Sequence, residues 1–214
     1  DSIVGSDVAN VLRGGDGNDT LDGLGGSDLL DGGNGYNLLI GGAGDDTLTG
    51  GSRGLSGSDY NTVSYAGVAS STPIAAVFGS SDGAIVTASV AGSATGNDTV
   101  LRADRILGTT GADSFAIYSS WSGSQFSAGK YLEVEGGAGN DTISGNGFTR
   151  LSFYDASTLG VSVTFSASTA GSGSGGNATL GTDSFSGIQS IRASRFNDTP
   201  VSYTHLRAHE TRED

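Results

Sequence analysis

An oxygen-bearing side chain recurs every nine residues near the start of the sequence, a spacing that suits the binding of a metal ion. Five consecutive nine-residue units run from Gly5 to Thr49 without a break in phase. Their sixth position is always aspartate or asparagine: Asn10, Asp19, Asp28, Asn37 and Asp46. Carboxylate and amide oxygens are ligands that hard divalent cations prefer. This regular row predicts cation binding between turns of the chain that stack on one another.

The other fixed positions of each unit are glycines and one leucine. Glycines cluster at the first, second and fourth positions, where they permit a sharp turn whose carbonyl oxygens converge. The glycines counted as candidate ligands are Gly14, Gly15, Gly17, Gly23, Gly26, Gly32, Gly33, Gly35, Gly41, Gly42 and Gly44. The eighth position is always leucine, at Leu12, Leu21, Leu30, Leu39 and Leu48. Because the last three residues alternate as in a β-strand, we expect all five leucines to point inward and form a thin core.

Units such as GGDGNDTLD and GGAGDDTLT resemble the nonapeptide of the RTX, or haemolysin-type, calcium-binding repeats. The resemblance implies an all-β fold: a parallel β-roll, or RTX solenoid, in which two nonapeptides form each coil. It also implies calcium between turns that are two units apart. One side of the roll would then stack the turns that end at Asn10, Asp28 and Asp46. The other side would stack the turns that end at Asp19 and Asn37.

The regular pattern weakens in the sixth unit, GGSRGLSGS. Here Leu55 replaces the aspartate, and Arg53 enters the turn. Without an oxygen at this position, the turn that ends at Asn37 would have no ligand-bearing partner on its far side. We therefore expect the row of ligands to fade at the sixth unit and the Asn37/Leu55 pair to be the weakest or an empty site.

Single repeats recur later in the chain. The segment GGAGNDTIS, at 136–144, is near-ideal and makes Asp141 a further candidate calcium ligand. The nine residues that follow it place Arg150 at the ligand position, so Asp141 has no good partner in sequence. Asp113 and Asp198 lie in comparable single repeats. We expect these three aspartates to form isolated turns.

A longer internal repeat organises the rest of the chain. Residues 95–114 align without gaps on residues 180–199, and the Val-, Thr- and Ser-rich inserts before them are typical of strands and hairpins. Interspersed β-rich inserts of this kind resemble those found among haemolysin-type repeats. The predicted segments are the tandem-repeat β-roll (1–59), an insert that returns to a single repeat (60–117), a strand segment with a single repeat (118–148), a truncated second copy of the insert (149–199) and a tail (200–214).

The tail differs in character from everything before it. Both histidines of the chain, His205 and His209, lie in the string VSYTHLRAHET, which looks like an in-frame translation of a sequencing adapter. Pro200 also stands where the repeat pattern would have leucine. The H-x-x-x-H spacing would suit zinc on a helix, an interpretation that we reject. We expect residues 200–214 to be non-native and to take no part in the fold.

Composition excludes several classes of function. The net charge of −13 argues against nucleic acid as a partner, and no run of eighteen apolar residues could span a membrane. Without the tail histidines, no nucleophile–histidine–acid set remains. Glu133 and Glu135 alternate on a strand and are expected to face water. Tyr60, Tyr65 and Trp121 are expected to be core or strand-surface residues and not a sugar-binding platform.

Three functional hypotheses remain at this stage. The first is a non-catalytic, calcium-binding structural module of a secreted bacterial protein. For it the resemblance implies export by type I secretion machinery, an extracellular location and folding on extracellular calcium. The second is the non-catalytic C-terminal part of a secreted protease or lipase. The third is part of a repetitive adhesin or surface-layer protein. The absence of cysteine leaves calcium as the expected cross-link for each of them.

Overall fold

The computed structural model describes residues 1–51, 59–68, 73–79, 83–88, 96–120, 131–155, 159–166 and 171–201. Every regular element in these ranges is a β-strand, which confirms the all-β prediction. None of these ranges contains a helix that is long and apolar enough to cross a membrane. The strands are β1 (Ser2–Ser6), β2 (Val11–Arg13), β3 (Thr20–Leu24), β4 (Leu29–Asp31), β5 (Tyr36–Ile40), β6 (Thr47–Thr49), β7 (Tyr60–Ser64), β8 (Ile74–Phe78), β9 (Gly83–Ala88), β10 (Asn97–Leu101), β11 (Arg105–Leu107), β12 (Ser114–Ile117), β13 (Leu132–Glu135), β14 (Thr142–Ser152), β15 (Ser162–Phe165), β16 (Gly173–Asn177), β17 (Gly181–Arg192) and β18 (Thr199–Val201).

Strands from alternate nonapeptides build two different sheets. The first sheet is entirely parallel and runs in the order β1, β3, β5, β7, β11, β13, then the second halves of β14 and β17. Leu21 pairs with Leu39, two units further along the chain, and Leu30 pairs with Leu48 in the second sheet. Two nonapeptides therefore make one coil, and the prediction of a parallel β-roll is confirmed.

The second sheet contains two antiparallel hairpins. Strands β2, β4, β6 and β10 are parallel neighbours, and the β8–β9 hairpin then separates β10 from β12. Beyond β12, the first halves of β14 and β17 continue the parallel order. The β15–β16 hairpin then separates β17 from β18. The two hairpins occupy equivalent places, which agrees with the internal repeat found in the sequence.

The core lies between the two sheets, because inward-facing residues of both belong to one hydrophobic cluster. Four of the five eighth-position leucines are fully buried, at Leu21, Leu30, Leu39 and Leu48. Leu12 is only partly buried, which corrects the expectation for this residue. Its strand, β2, pairs only with β4 among the described strands, so one flank of Leu12 is not covered. Later coils place Val63, Ile106, Val134, Leu151, Val100, Phe115, Ile143 and Phe185 in the same rows.

The end of the described chain extends slightly beyond the predicted native sequence. Strand β18 continues past Thr199 to Val201, and its backbone pairs with β15. Residues 202–214, with both histidines, lie outside the described residues, as do Leu55 and Trp121. The segment boundaries derived from the sequence stay predictions.

Candidate calcium sites

The sixth-position residues form one hydrogen-bonded row beside the second sheet. The backbone N–H of Asn10 donates to Oδ1 of Asp28 over 2.8 Å, and that of Asp28 donates to Oδ1 of Asp46 over 2.8 Å. The backbone N–H of Asp46 donates in turn to Oδ1 of Asp98 over 2.9 Å. Each side chain thus holds the start of the strand one coil earlier. The stacking of turns two units apart is confirmed, and Asp98 is a member that the nine-residue pattern missed.

A second row follows the first sheet. The N–H of Asp19 donates to Oδ1 of Asn37 over 3.0 Å, and Nδ2 of Asn37 donates to Oδ1 of Asn61 over 2.9 Å. The N–H of Asn61 then donates to Oδ2 of Asp104 over 2.9 Å. The prediction that Asn37 faces Leu55 is therefore wrong. The coil after Asn37 is 24 residues long instead of 18, so the sixth-position role passes to Asn61.

Two of the three later aspartates that were expected to be isolated, Asp113 and Asp141, belong to a row, and the third, Asp198, bonds to a hairpin strand. The N–H of Asp113 donates to Oδ1 of Asp141 over 2.8 Å, and the N–H of Asp141 donates to Oδ1 of Asp183 over 3.0 Å. Oδ1 of Asp198 accepts from the N–H of Val161 over 2.8 Å. Long inserts separate these partners by 28 to 42 residues in sequence, so the nonapeptide count could not align them. Arg150, the expected partner position, lies in the first sheet instead.

Four of these carboxylates keep one oxygen buried and without a partner. The atoms are Oδ2 of Asp19, Asp28, Asp46 and Asp141. Their residues are at most 3% exposed. A buried carboxylate oxygen without a hydrogen bond is costly, because burial removes its water and nothing replaces it. These atoms are where a cation would compensate the charge.

The candidate glycines surround the same atoms. The first-position glycines Gly14, Gly23 and Gly41 lie against Oδ2 of the sixth-position aspartate of their own turn, and Gly32 lies against the amide of Asn37. A Cβ on Gly14 would lie 2.5 Å from Oδ2 of Asp19 and 2.5 Å from the carbonyl oxygen of Gly32. No side chain fits there. The carboxylate and a backbone carbonyl of the next coil therefore approach the same small space.

The second- and fourth-position glycines make the turns possible. All of them have positive φ angles: Gly15, Gly17, Gly26, Gly33, Gly35, Gly42 and Gly44. At Gly33, with φ of 82°, an added Cβ would collide with the backbone of Gly15 in the preceding coil. The turns stack too closely for a side chain at Gly26, Gly33, Gly35, Gly42 and Gly44, whereas Gly15 and Gly17 have no neighbour within 4 Å of an added Cβ.

The chemistry of this donor set fits calcium. Calcium takes six to eight oxygen ligands and accepts backbone carbonyls together with carboxylates. Among the described residues, no three acidic, histidine or cysteine side chains converge on one point. A cation in these turns would therefore take one or two carboxylates and complete its shell with carbonyls. That mixture suits calcium better than zinc, which prefers nitrogen and sulfur ligands.

Electrostatics agrees with the geometry. Burial raises the pKa of Asp46 to about 6 and that of Asp98 to about 7. Burial also raises the pKa of Asp113, of Asp141 and of Asp183, and the neighbouring charge of Asp183 adds to the rise at Asp141. Each raised pKa means that the charged form is destabilised where it stands. A bound dication would reverse this effect.

The two glutamates that were expected to face water are buried instead. Glu133 is 3% exposed and Glu135 is 5% exposed, so that prediction is wrong. Arg105, on the neighbouring strand β11, pairs with both of them. Arg150 and Arg192 approach Glu133 at 3.7 and 3.2 Å. These cations come from strands that are distant in sequence, which is why strand alternation alone gave the wrong environment.

Tyr60 and Tyr65 have the structural roles expected for them. Tyr65 is 3% exposed, and its hydroxyl donates to Oδ2 of Asp98 over 2.9 Å. Burial and the charge of Asp98 raise the pKa of Tyr65. Tyr60 lies beside Tyr36, with ring centroids 6.3 Å apart. Tyr65 therefore supplies a hydrogen bond to the sixth-position row.

Comparison with known proteins identifies the repeats. The family model described as "RTX calcium-binding nonapeptide repeat (4 copies)" matches residues 4–39, 22–52 and 133–147. The last match contains Asp141. No curated protein matches the chain.

A solved structure that matches the chain is that of the extracellular lipase LipA from Serratia marcescens, with 16% sequence identity and a TM-score of 0.21. The match covers 88% of this chain but only 38% of the lipase chain. This similarity is too low to bear on fold or function. The nonapeptides and their stacked turns carry the identification: residues 4–52 and 133–147 are RTX calcium-binding nonapeptide repeats.

Proposed function

We propose that this chain is a calcium-dependent folding module of a secreted protein. The observation that carries the proposal is the group of buried, unpartnered oxygens on Asp19, Asp28, Asp46 and Asp141. A fold that buries four such oxygens is unfavourable unless something neutralises them. Calcium does so through the carboxylates and through the carbonyls of the glycine-rich turns. Metal ligation that exists only in the folded chain contributes its free energy to folding.

The same physics accounts for the proposed location. Extracellular calcium modules bind at Kd values of about 10⁻⁴ to 10⁻³ M, so a chain of this type stays unfolded where calcium is scarce. A chain exported by type I secretion machinery would fold when it meets calcium outside the cell. At a calcium concentration of 100 times Kd, one site adds about 2.7 kcal/mol to the free energy of unfolding. That is a large share of the stability of a small domain.

The module's own role in this proposal is structural. RTX repeats are not catalytic by themselves. The core is thin, with one leucine per nonapeptide, so hydrophobic burial stabilises it little. Calcium binding would therefore supply a larger share of the free energy of unfolding than in a domain with a thicker core. The parent protein would be a protease, a lipase or an adhesin, and its activity would lie outside these repeats.

Calcium titration of the chain tests the proposal. Far-UV circular dichroism should show β-structure on addition of calcium, and a chelator should reverse the change. Magnesium should substitute poorly, because it demands a tight octahedral shell and gives up water reluctantly. Identical spectra with calcium and with chelator, together with no heat of calcium binding, would contradict the proposal.

A further inference from the structure

The stacked turns fall into two classes that differ in the partners of the sixth-position side chain. In three turns, a serine or threonine at the second position contacts the sixth-position side chain: Ser6, Thr109 and Ser194. Thr179, at the second position before Asp183, donates its N–H to Asn177 instead. Each of the three hydroxyls donates to the sixth-position side chain of its own turn. The distances are 3.2 Å from Ser6 to Asn10, 2.9 Å from Thr109 to Asp113 and 2.6 Å from Ser194 to Asp198. We name these three turns the closed turns.

In the closed turn at Asp113, both carboxylate oxygens accept hydrogen bonds from the protein. Its Oδ1 accepts from Oγ1 of Thr109 over 2.9 Å and from the N–H of Ile74 over 2.7 Å. Its Oδ2 accepts from the N–H of Thr109 over 2.6 Å. Three donors therefore surround a carboxylate that is 2% exposed. Such a group is satisfied without a metal ion.

The other class, the open turns, has a second-position residue with positive φ. In turns that end at an aspartate, these residues are Gly15, Leu24, Gly42 and Gly137, at φ angles of 95°, 70°, 98° and 99°, and Gly33, at 82°, precedes the neutral Asn37. The first four turns end at Asp19, Asp28, Asp46 and Asp141, the four aspartates whose Oδ2 is buried and without a partner. Among these four turns and the three closed turns, the second residue thus separates sixth-position side chains with a hydroxyl donor from carboxylates with an unpartnered oxygen.

Leu24 shows that the open conformation is imposed by the turn. A left-handed backbone costs a residue with a Cβ about 1–2 kcal/mol, yet Leu24 adopts it. Serine at the equivalent position two units earlier, Ser6, has no positive φ. Its N–H donates instead to Oδ1 of Asn10 over 2.7 Å. The backbone conformation at the second position therefore accompanies the presence or absence of internal donors to the sixth-position side chain.

We propose that the second residue of each turn decides whether the turn binds calcium, an inference that rests on the proposed function. A hydroxyl residue with ordinary φ closes the turn, because its N–H and O–H take the place of the cation. Glycine, or a residue forced to positive φ, leaves one carboxylate oxygen for calcium. The turns ending at Asn10, Asp113 and Asp198 are then calcium-independent.

The positions of two closed turns give this arrangement a physical reason. Asp113 and Asp198 lie just before β12 and β18, the strands that pair with the two hairpins. There the neighbouring backbone is a hairpin strand, whose Ile74 or Val161 donates an N–H. Among the described residues, no second glycine-rich turn lies on that flank to share a cation. A hydroxyl supplies the missing donor.

Exchange of the second residue between the classes tests the inference in the full 214-residue chain. Gly15→Ser converts GGDGND into GSDGND. Nothing lies within 4 Å of a Cβ at this position, although its φ of 95° strains serine and alanine alike. Isothermal titration calorimetry should show the loss of one calcium equivalent per chain. Gly15→Ala is the matched control: it adds the same Cβ without a hydroxyl and should keep that equivalent. Thr109→Gly should gain one calcium equivalent, and Thr109→Ser should gain none.

The outcomes separate the two proposals. If the unaltered chain binds no calcium, the proposed function fails and the inference falls with it. If it binds calcium but Gly15→Ser and Thr109→Gly leave the stoichiometry unchanged, only the inference is overturned. Circular dichroism in calcium reports whether each variant folds. If Gly15→Ser does not fold, Thr109→Gly decides: a gained equivalent supports the inference and an unchanged number overturns it.

Discussion

The backbone N–H of Asp28 donates to Oδ1 of Asp46 over 2.8 Å, while Oδ2 of both side chains has no partner within the described part of the chain. The two oxygens of Asp46 thus have different tasks. Oδ1 fixes the register of one coil against the next, and Oδ2 is left for a cation. Loss of one such carboxylate should weaken both coil stacking and calcium binding.

We expect Asp28→Ala to reduce calcium affinity more than Asp19→Ala. Asp28 lies between Asn10 and Asp46 in its row, and the Asp28/Asp46 pair brings together two carboxylates. Asp19 faces the neutral Asn37. Because ligand charge tunes calcium affinity, the difference should reach about tenfold in Kd. Isothermal titration of both variants measures it.

A charge-matched control keeps this comparison specific. Asp7→Ala removes an exposed turn carboxylate outside the sixth position and should leave calcium affinity nearly unchanged. Greater damage from Asp19→Ala than from Asp28→Ala would mean that the sixth-position charges do not set the order of the sites. The same conclusion would follow if neither variant differed from the Asp7→Ala control.

Two adjacent leucines should respond very differently to truncation. Leu30 is fully buried between the sheets, whereas Leu29 on the same strand is 39% exposed. Leu30→Ala should lower the free energy of unfolding by about 2–5 kcal/mol through lost burial and a cavity. Leu29→Ala should cost about 1 kcal/mol or less. Urea denaturation in saturating calcium compares them, and equal costs would mean that the eighth position does not form the core.

Substitution of a first-position glycine should be costly for a steric reason. The Cβ of Gly14→Ala would lie 2.5 Å from both Oδ2 of Asp19 and the carbonyl oxygen of Gly32. Displacement of these atoms should cost about 1–3 kcal/mol of stability, as overpacking does in a core, and should weaken calcium binding. Gly67→Ala is the control, since nothing lies within 4 Å of its Cβ and its φ is not positive. In calcium, the denaturant midpoint of Gly14→Ala should lie below that of Gly67→Ala. An unchanged midpoint for Gly14→Ala would show that the turn can accommodate a Cβ at this position.

Without calcium, stability should fall as the pH rises through the range where the buried carboxyls ionise. Burial raises the pKa of Asp46 to about 6 and that of Asp98 to about 7, although hydrogen bonds from neighbouring donors oppose the rise. The folded chain therefore holds protons that the unfolded chain, with a carboxyl pKa of about 3.9, has released. This contribution is complete below pH ~4 and is lost as the pH passes through about 6 to 7.

Urea denaturation in chelator measures this effect between pH ~4 and pH ~7. Asp98→Asn should flatten the decline, whereas Asp7→Asn, which alters an exposed carboxyl that does not contribute to either raised pKa, should not. Calcium should oppose the decline because it binds the ionised form. Stability that rises with pH in chelator would contradict the assignment of these raised pKa values.

The features that repeat every nine residues could be predicted from the sequence, and those outside the repeat could not. Constant spacing made the burial of Leu30 and the stacking of Asp28 on Asp46 predictable, because each coil there contains 18 residues. Count-based alignment failed at Asn61, where the coil is six residues longer. It failed again at Asp141, whose row partners lie beyond inserts of variable length.

The hydroxyl donors to the sixth-position row could have been noticed in part. Ser6 and Thr109 stand where glycine is expected, four residues before the sixth position, and that substitution was visible in the sequence. Nothing in the sequence placed Tyr65 against Asp98, because that contact depends on how the first hairpin enters the second sheet. Burial of Glu133 likewise depends on Arg105 and Arg192 reaching it from separate coils.

The two hairpins also affect the direction of the axis of the β-roll. Each hairpin adds two strands to the second sheet, and among the described strands none is added opposite them in the first sheet. Neighbouring strands lie about 4.8 Å apart, so each hairpin lengthens one wall of the roll by about 10 Å relative to the other. A straight stack cannot absorb that difference. The axis has to bend toward the shorter wall, or the longer wall has to shear, at every inserted hairpin. In a protein with several such units in tandem, the axis of the roll would change direction at each inserted hairpin.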